Sequence, residues 1–563
     1  MNTPTSPADV PGPGADAERL DELVRAARAW LDDDPDPDTR AELAALVGSG
    51  DAGGLAARFD GTLAFGTAGL RGALGAGPNR MNRVVVQRAA AGVAAYLRAS
   101  GTTGRVAIGY DARHKSDVFA RDTADVLAGA GFTPLLLPRP LPTPVLAYAV
   151  RHLGAVAGIM VTASHNPPQD NGYKVYLGDG RQIVPPADAG ISAEIAKVGR
   201  VTELPKGTAW PTLDDTLVDA YVERVASLVS TRSPRRLRLA YTPMHGVGRD
   251  VMLAVLARAG FDPPAVVPAQ GDPDPDFPTV GFPNPEEPGA LDLAVATAVE
   301  SGADLVVAND PDADRCAVAV RRPDGTYRTL SGDELGALLG AHLLRRDPDR
   351  PGAFAATIVS STLLGRLAAA AGVPYAETLT GFKWLSRVPD LRYAYEEAIG
   401  YCVDPDAVAD KDGISAALLA CELAATLAAE GRTLDDLLDE IAVAHGLHAT
   451  RPLSVRVRRL AEREEMLDRL RADPPRTLAG LAVTSVDDLD AGGAGVPPTP
   501  GLRFRLGEQA RIVVRPSGTE PKLKCYLEVV VPVETDVTTA RERADERLTA
   551  LAADLAKAAG FPA

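Results

Sequence analysis

Three aspartates alternate along Asn309-Asp310-Pro311-Asp312-Ala313-Asp314-Arg315. On an extended segment or a tight loop their carboxylates can converge, and three like charges repel unless a cation joins them. Hard oxygen donors suit Mg²⁺, which keeps positions open for phosphate or water. A calcium loop would carry Gly at its sixth position and Glu at its twelfth, and this chain has Arg315 and Arg321 there. The alternative is a solvated acidic turn. The apolar run before the triplet and Arg315 beside it favour the metal.

A second cluster, Arg515-Pro516-Ser517-Gly518-Thr519-Glu520-Pro521-Lys522, has the makings of an anion cradle. Arg515 offers a planar fork, Ser517, Gly518 and Thr519 offer hydroxyls and closely spaced N–H groups, and Lys522 adds charge. Pro-Ser-Gly alone would read as a surface turn. No G-x-x-x-x-G-K-[ST] occurs, so a nucleotide P-loop is not supported. The third cluster is Val161-Thr162-Ala163-Ser164-His165-Asn166-Pro167, where small and polar residues end an apolar run. Serine needs activation to act as a nucleophile, and the T-A-S-H-N setting is not the G-x-S-x-G of a hydrolase elbow. Adjacent residues rarely align as nucleophile and base, so His165 is expected to orient or support, with a base role second. Alone, Ser164 would read as a turn or helix cap. Beside a metal loop and an anion cradle it fits phosphoryl transfer better than acyl transfer.

Together, T-A-S-H-N-P, D-P-D-A-D-R and R-P-S-G-T-E-P resemble the α-D-phosphohexomutase superfamily of phosphoglucomutases and phosphomannomutases. Phe65–Gly72 (FGTAGLRG), Gly109–Arg113 (GYDAR) and Asn171–Tyr176 (NGYKVY) agree, and the resemblance runs in order from about residue 56 to the end. It implies three related α/β domains, a smaller C-terminal domain and a central cleft. It also implies that Ser164 is a phosphoserine that gives its phosphoryl group to a sugar monophosphate and takes back the other phosphate of the resulting bisphosphate. Asp310, Asp312, Asp314 and the Ser164 phosphate would share Mg²⁺. Arg71 and Lys174 would flank the transferring group, Lys174 as candidate general acid/base; the alternative for both is ordinary surface charge. A sugar bisphosphate such as glucose 1,6-bisphosphate would activate the enzyme. Arg315, Lys383, Glu397, Tyr401, Arg515, Ser517, Gly518, Thr519 and Lys522 would contact substrate.

The sugar loop departs from the pattern. Many members have G-E-x-S-G-H, whereas this chain has Tyr395-Glu396-Glu397-Ala398-Ile399-Gly400-Tyr401, with Ile399 for Ser and Tyr401 for His. Glu397 would accept hydrogen bonds from sugar hydroxyls, and Tyr401 would help decide which sugar fits. With L-T-G-F-K-W (379–384) and D-K-D-G (410–413), the loop resembles the branch holding phosphopentomutase-like and sugar-bisphosphate-forming enzymes. The leading expectation is a mutase on hexose 1- and 6-phosphates, glucose or mannose; a phosphopentomutase or hexose-bisphosphate synthase follows. A phosphoserine phosphatase and a non-enzymatic sensor are weaker rivals. Without the resemblance, E-E-A-I-G reads as the start of a helix.

The elements that must position these groups alternate strand and helix signals. R-V-A-I-G-Y-D, T-P-L-L-L-P and A-V-A-G-I-M-V predict strands separated by helices, a second cycle starts at R-L-R-L-A-Y-T, and a third at A-F-A-A-T-I-V. Such alternation predicts mixed or parallel sheets covered by helices, with ligands beyond the carboxyl ends of the strands. The tail from about Thr450 predicts an α+β unit. The expected division is 1–55, an N-terminal helical extension with two helices around the acidic linker D-D-D-P-D-P-D; 56–232, the phosphoserine domain; 233–347, the metal domain; 348–449, the sugar domain; and 450–563, the phosphate-binding domain.

A chain of 563 residues is too long for one core. A net charge of −16 argues against a nucleic-acid binder, since phosphate backbones need a basic face. No apolar run spans a membrane, and the first 20 residues read as a Pro-rich disordered tip rather than a signal peptide. Four scattered cysteines without CxxC spacing fit a reducing cytoplasm. Small-molecule sugar phosphates are the expected partners.

Overall fold

The computed structural model describes residues 13–457, 459–492, 495–517 and 522–561. It divides into two compact units, Met1–Leu217 with Pro273–Pro283, and Val218–Asp272 with Asn284–Ala563.

The first unit is built on strands Arg105–Tyr110, Thr133–Leu136 and Ala157–Val161, which run parallel, and Asp170–Leu177, which returns antiparallel. A fifth strand, Leu70–Ala73, pairs antiparallel at the edge. Ala157–Val161 lies in the middle of the sheet and all five of its residues are buried, which is why its sequence is continuously apolar instead of alternating. The helices Ser116–Gly129 and Thr143–His152 supply the crossovers. Gly69 makes the edge strand possible: its φ is 73°, and a Cβ there would lie 1.8 Å from the Tyr173 carbonyl oxygen.

The second unit repeats this plan twice. Leu239–Thr242, Ala265–Val266 and Leu305–Asn309 are parallel, and Cys316–Arg321 returns antiparallel. Ala353–Thr357, Tyr375–Thr378 and Leu391–Glu396 are parallel, and Gly400–Cys402 returns antiparallel. Counting strands from the first parallel one, all three sheets therefore share the spatial order 2-1-3-4. Purely parallel sheets are thus not observed. Strands three and four are joined by short loops, and a short connection enforces antiparallel pairing. The C-terminal part is a five-stranded antiparallel sheet carrying the helices Leu460–Ala472 and Val537–Ala559 on a core that includes Phe504, Ile512, Leu527 and Leu551.

The repetition extends to the loops that hold the candidate site residues. In each repeat a candidate site segment follows strand three: Ser164, the aspartate triplet, and Glu397. In each, the loop after strand one supports it: Arg113 holds Ser164 O, Val247 N–H donates to Pro311 O, and Ser360 Oγ donates to Glu397.

Three expectations change. The stretch D-D-D-P-D-P-D is not a solvated linker: Asp33, Asp34 and Asp36 are 4%, 3% and 2% exposed. Asp33 accepts the N–H groups of Val201 and Thr202, both at 3.1 Å, and pairs with Arg88. Asp36 caps the helix Pro37–Ser49 and pairs with Lys115. The extension has three helices, since Ala52–Phe59 follows Pro37–Ser49, and Pro13–Leu31 begins inside the stretch read as a tip; residues 1–12 of that tip lie outside the described residues. Trp30, Leu43 and Leu55 pack with Ala76, Val84 and Val201 in a core of their own. Finally, E-E-A-I-G forms the turn of a β-hairpin, not a helix start. No single described helix is long and apolar enough to cross a membrane.

Asp33→Ala strands the buried Val201 N–H, removes the acceptor of the Thr202 N–H and leaves Arg88 without this carboxylate. It should destabilise the first unit by roughly 2–4 kcal/mol, read as a lower urea midpoint for the transition that exposes Trp30.

Candidate active site

The loop after Ala157–Val161 begins at Thr162, whose Oγ1 accepts the Ser164 N–H at 2.9 Å. Ser164 sits in the left-handed region, φ 53°, where a non-glycine residue costs roughly 1–2 kcal/mol. The loop is held against that strain by one side chain. Arg113 Nη2 donates to the carbonyls of Ser164 at 2.7 Å and Asn166 at 2.5 Å, and Nη1 to those of Pro167 at 2.8 Å and Asp170 at 3.1 Å. A guanidinium presents five N–H donors in one rigid plane, enough for these four carbonyls, where an ammonium has three. Asp111 lies 3.4 Å from Arg113; burial raises its carboxyl above the usual range, and Arg113 opposes the shift.

Ser164 is 3% exposed and its Oγ lies 3.1 Å from His165 Nδ1. The two neighbours do align, contrary to the sequence expectation, because the left-handed turn at Ser164 swings both side chains to one side. Arg71, exposed on the edge strand, donates from Nη1 to Asn166 Oδ1 at 3.2 Å and so reaches the same loop. Lys174 is on Asp170–Leu177 and only 6% exposed, so it is not an ordinary surface charge.

Asp310, Asp312 and Asp314 fill the loop between Leu305–Asn309 and Cys316–Arg321. All three are 0% exposed, and each offers an oxygen within 4.8 Å of the others. Ala313 turns through φ 54°, its N–H bonded to Asp310 O, and Arg315 N–H donates to Asp310 Oδ1 at 3.1 Å. Burial, then the charges of Asp312 and Asp314, push the Asp310 carboxyl well above its ordinary range. Lys411 Nζ stands 3.0 Å from Asp314 Oδ2. Converging hard oxygens withdrawn from water fit a small divalent cation.

The aspartate loop also fixes the sugar loop. Arg315 Nη1 donates to Ala398 O at 2.9 Å, and Cys316 N–H donates to Ile399 O at 3.1 Å. Ile399 occupies the left-handed region, φ 51°, costly for a β-branched residue. Gly332 lets the hairpin approach, since a Cβ there would lie 1.9 Å from Glu397 O. Glu397 Oε2 accepts the hydroxyls of Thr357 and Ser360, both at 3.0 Å. Burial, then the charges of Glu396 and Asp333, push the Glu397 carboxyl up to about 7. Glu397 and Ile399 border a cavity of about 940 Å³ within the second unit, with Glu286, Arg511, Lys524 and Tyr526 elsewhere on its wall.

Tyr401 does not reach that cavity. It is 0% exposed, stacked on Tyr395 with centroids 6.5 Å apart, and its hydroxyl points to Gly332 O at 3.3 Å. The period-two alternation of the hairpin turns it into the core, so its expected role in choosing the sugar is withdrawn. Arg515 is the penultimate residue of the strand Ala510–Pro516 and hydrogen-bonds Thr380 Oγ1, beside the short helix Phe382–Leu385 that carries half-buried Lys383. Ser517 is 8% exposed; its N–H donates to Lys522 O at 2.9 Å, and its carbonyl accepts Arg463 Nη1 at 2.8 Å. Gly518 and Thr519 lie outside the described residues. Arg113, Ser360, Lys411 and Arg463 are the supporting side chains that sequence reasoning missed. Arg113 left a signal, a charged fork directly after an apolar strand in G-Y-D-A-R; Arg463, in an ordinary charged helix, left none.

Comparison with known proteins matches four successive segments to the phosphoglucomutase/phosphomannomutase family: alpha/beta/alpha domain I over residues 62–201, domain II over 219–325, domain III over 331–444 and the C-terminal domain over 453–555. A Haemophilus influenzae protein named "Probable phosphomannomutase" is 47% identical over 454 residues, 80% of this chain and 93% of its own length. The human "Phosphopentomutase" is 36% identical over 580 aligned residues, 92% of this chain and 93% of its own. Among solved structures, that of a "putative phosphomannomutase" of Thermus thermophilus is 29% identical, covers 88% of this chain and 99% of its own, and superposes with a TM-score of 0.70.

A carboxyl titrating near 7 at a cavity wall makes ligand affinity depend on pH. Above about 7 Glu397 is an anion that only accepts hydrogen bonds; below, it is neutral and has lost acceptor strength. Sugar phosphate kcat/KM should therefore fall as pH drops through 7. Glu397→Gln should flatten that limb and leave the phosphate's own titration near pH 6 in place, as read from pH–rate profiles of both proteins.

Proposed function

The chain belongs to the phosphoglucomutase/phosphomannomutase family, and on that premise we propose that it interconverts hexose 1-phosphate and hexose 6-phosphate, with glucose or mannose as the sugar, through a phosphoserine at Ser164. The observation that carries the reading is the Ser164 hydroxyl itself, buried, held in a left-handed turn by Arg113 and hydrogen-bonded to His165.

In the first half-reaction the P–Oγ bond to Ser164 breaks as a P–O bond to the sugar hydroxyl forms, and the hydroxyl proton passes, by way of the candidate acid/base Lys174, to the departing Ser164 Oγ. The bisphosphate then turns over. In the second half-reaction Ser164 Oγ takes the other phosphoryl group as its P–O bond to the sugar breaks, and the Ser164 hydroxyl proton returns by the same route to the sugar oxygen released. Asp310, Asp312 and Asp314 would hold Mg²⁺, which offsets charge on the phosphoryl oxygens. Arg71 steadies the Ser164 loop through Asn166. Arg515, Ser517, Gly518, Thr519 and Lys522 grip the phosphate that is not reacting. Lys383 and Arg315 border the sugar, and Glu397 accepts its hydroxyls. Glucose 1,6-bisphosphate or a related sugar bisphosphate would load Ser164. Four buried cysteines, each a free thiol, support a cytoplasmic setting.

A second reading, a phosphopentomutase or a hexose-bisphosphate synthase, draws on two observations. Ile399 replaces a hydroxyl-bearing residue on the cavity wall, and the human phosphopentomutase aligns with 92% of this chain.

Ser164→Ala should fold and bind substrate yet lose nearly all turnover, and intact mass of the active parent should show one labile phosphate on Ser164. Parent-like activity in the variant would sink the carrier role. The sugar is decided by a panel of glucose, mannose and ribose 1-phosphates with a bisphosphate activator, with and without chelator. An isomeric hexose phosphate formed only with Mg²⁺ is expected. A pentose 5-phosphate as main product would favour the second reading, accumulating bisphosphate a synthase, and free phosphate a phosphatase.

A further inference from the structure

The segment Pro273–Pro283 lies in sequence between the strands Ala265–Val266 and Leu305–Asn309 of the second unit, yet it packs with the first. Its side chains meet His114 and the two residues that hold Ser164, Arg113 and His165. Asp276 Oδ1 meets His114 Nε2 at 2.7 Å. The Phe277 ring lies 4.9 Å from the guanidinium carbon of Arg113, the side chain that holds the Ser164 loop by its carbonyls. Phe282 meets the His165 ring edge-on, with centroids 5.8 Å apart and planes at 66°. Phe277 is 3% exposed and left-handed, φ 46°, so this segment is held in a conformation it would not keep alone.

We propose that Pro273–Pro283 is a positioning strap for the phosphoryl-carrying serine, with Phe282 setting the His165 ring and, through it, the direction of the Ser164 hydroxyl. The torsion that turns an imidazole about its own bond is broad and roughly two-fold, so an isolated His165 would present Nδ1 to Ser164 only part of the time. An aromatic edge against one face of the ring removes the other orientations. Phe277 acts in parallel, giving the Arg113 fork an apolar floor that keeps it aimed at the loop carbonyls. Neither phenylalanine touches a reacting atom; both act through a residue that does the holding.

The strap rests on the reading of Ser164 as the phosphoryl carrier, and the test separates the two. Phe282→Ala should lower kcat about ten- to a hundredfold, the scale of a misdirected reacting group, with KM changed by less than about twofold. Phe282→Tyr keeps the ring and should restore kcat. In a His165→Gln background Phe282→Ala should cost nothing further, because the residue it acts through is gone. If Phe282→Ala folds poorly, Phe282→Leu keeps the bulk without the aromatic edge and should show the same loss in kcat. Unchanged kcat in the alanine and leucine variants, or a loss that persists in full in the His165→Gln background, would overturn the strap. Parent protein that takes up no phosphate at Ser164 from glucose 1,6-bisphosphate would overturn the carrier reading and the strap with it.

Discussion

Three carboxylates with no exposure to water, within 4.8 Å of one another, set the terms for the second unit. At an effective dielectric near 20 each such pair, if ionised, repels by about 3.5 kcal/mol or more, so the loop can exist only inside a frame of positive charge and donated hydrogen bonds. Arg315 and Lys411 supply that frame, and each also serves a neighbour. Arg315 holds Ala398 O, and the Lys411 stem packs where Gly400 has no Cβ to obstruct it. The sugar loop is therefore shaped by the charges that make the aspartate loop tolerable. The left-handed Ile399 is one result: its carbonyl is already committed to the Cys316 N–H, and the turn must bend to deliver it.

The same solution appears in each α/β repeat. A 2-1-3-4 sheet brings the loops after strands one and three side by side at the carboxyl edge. One loop carries the candidate site residues and the other braces it, with an arginine fork in the first repeat, a backbone contact in the second and a hydroxyl pair in the third. Brace and payload are far apart in sequence: Arg113 and Ser164 are 51 residues apart, Ser360 and Glu397 are 37. Their partnership depends on strand order and cannot be seen in any local motif.

That separation explains what could be read from the sequence. Parallel strands buried on both faces leave continuous apolar runs, so the sheets, and the chemical residues placed after them, were legible. The aspartate triplet was legible because alternation in so short a stretch has few other uses. Contacts made over distance were not. Asp33 looked like part of a linker because its partners Val201 and Thr202 lie 168 and 169 residues away. Tyr401 looked like a ligand contact because it stands where the family pattern has a histidine, and no local signal showed that the hairpin turns it inward. The bond between Ser164 and His165 was discounted because a left-handed serine is not an outcome that residue preferences predict.

The distant partners of the acidic knot also order events in time. The extension leaves the ribosome before the domain it packs on; Asp34 and Asp36 find partners within it, but the Asp33 carboxylate lacks its main-chain donors until Val201 and Thr202 emerge, and the phenylalanines beside Arg113 and His165 come later still. At about 5–20 residues per second, translation alone imposes a delay on the order of ten seconds or more. Through that interval the extension is an acidic, hydrated segment holding an uncovered Trp30 face. The nascent chain thus completes its N-terminal half only after a good part of the next domain exists, and a protein truncated before residue 201 would present that apolar face to chaperones and proteases.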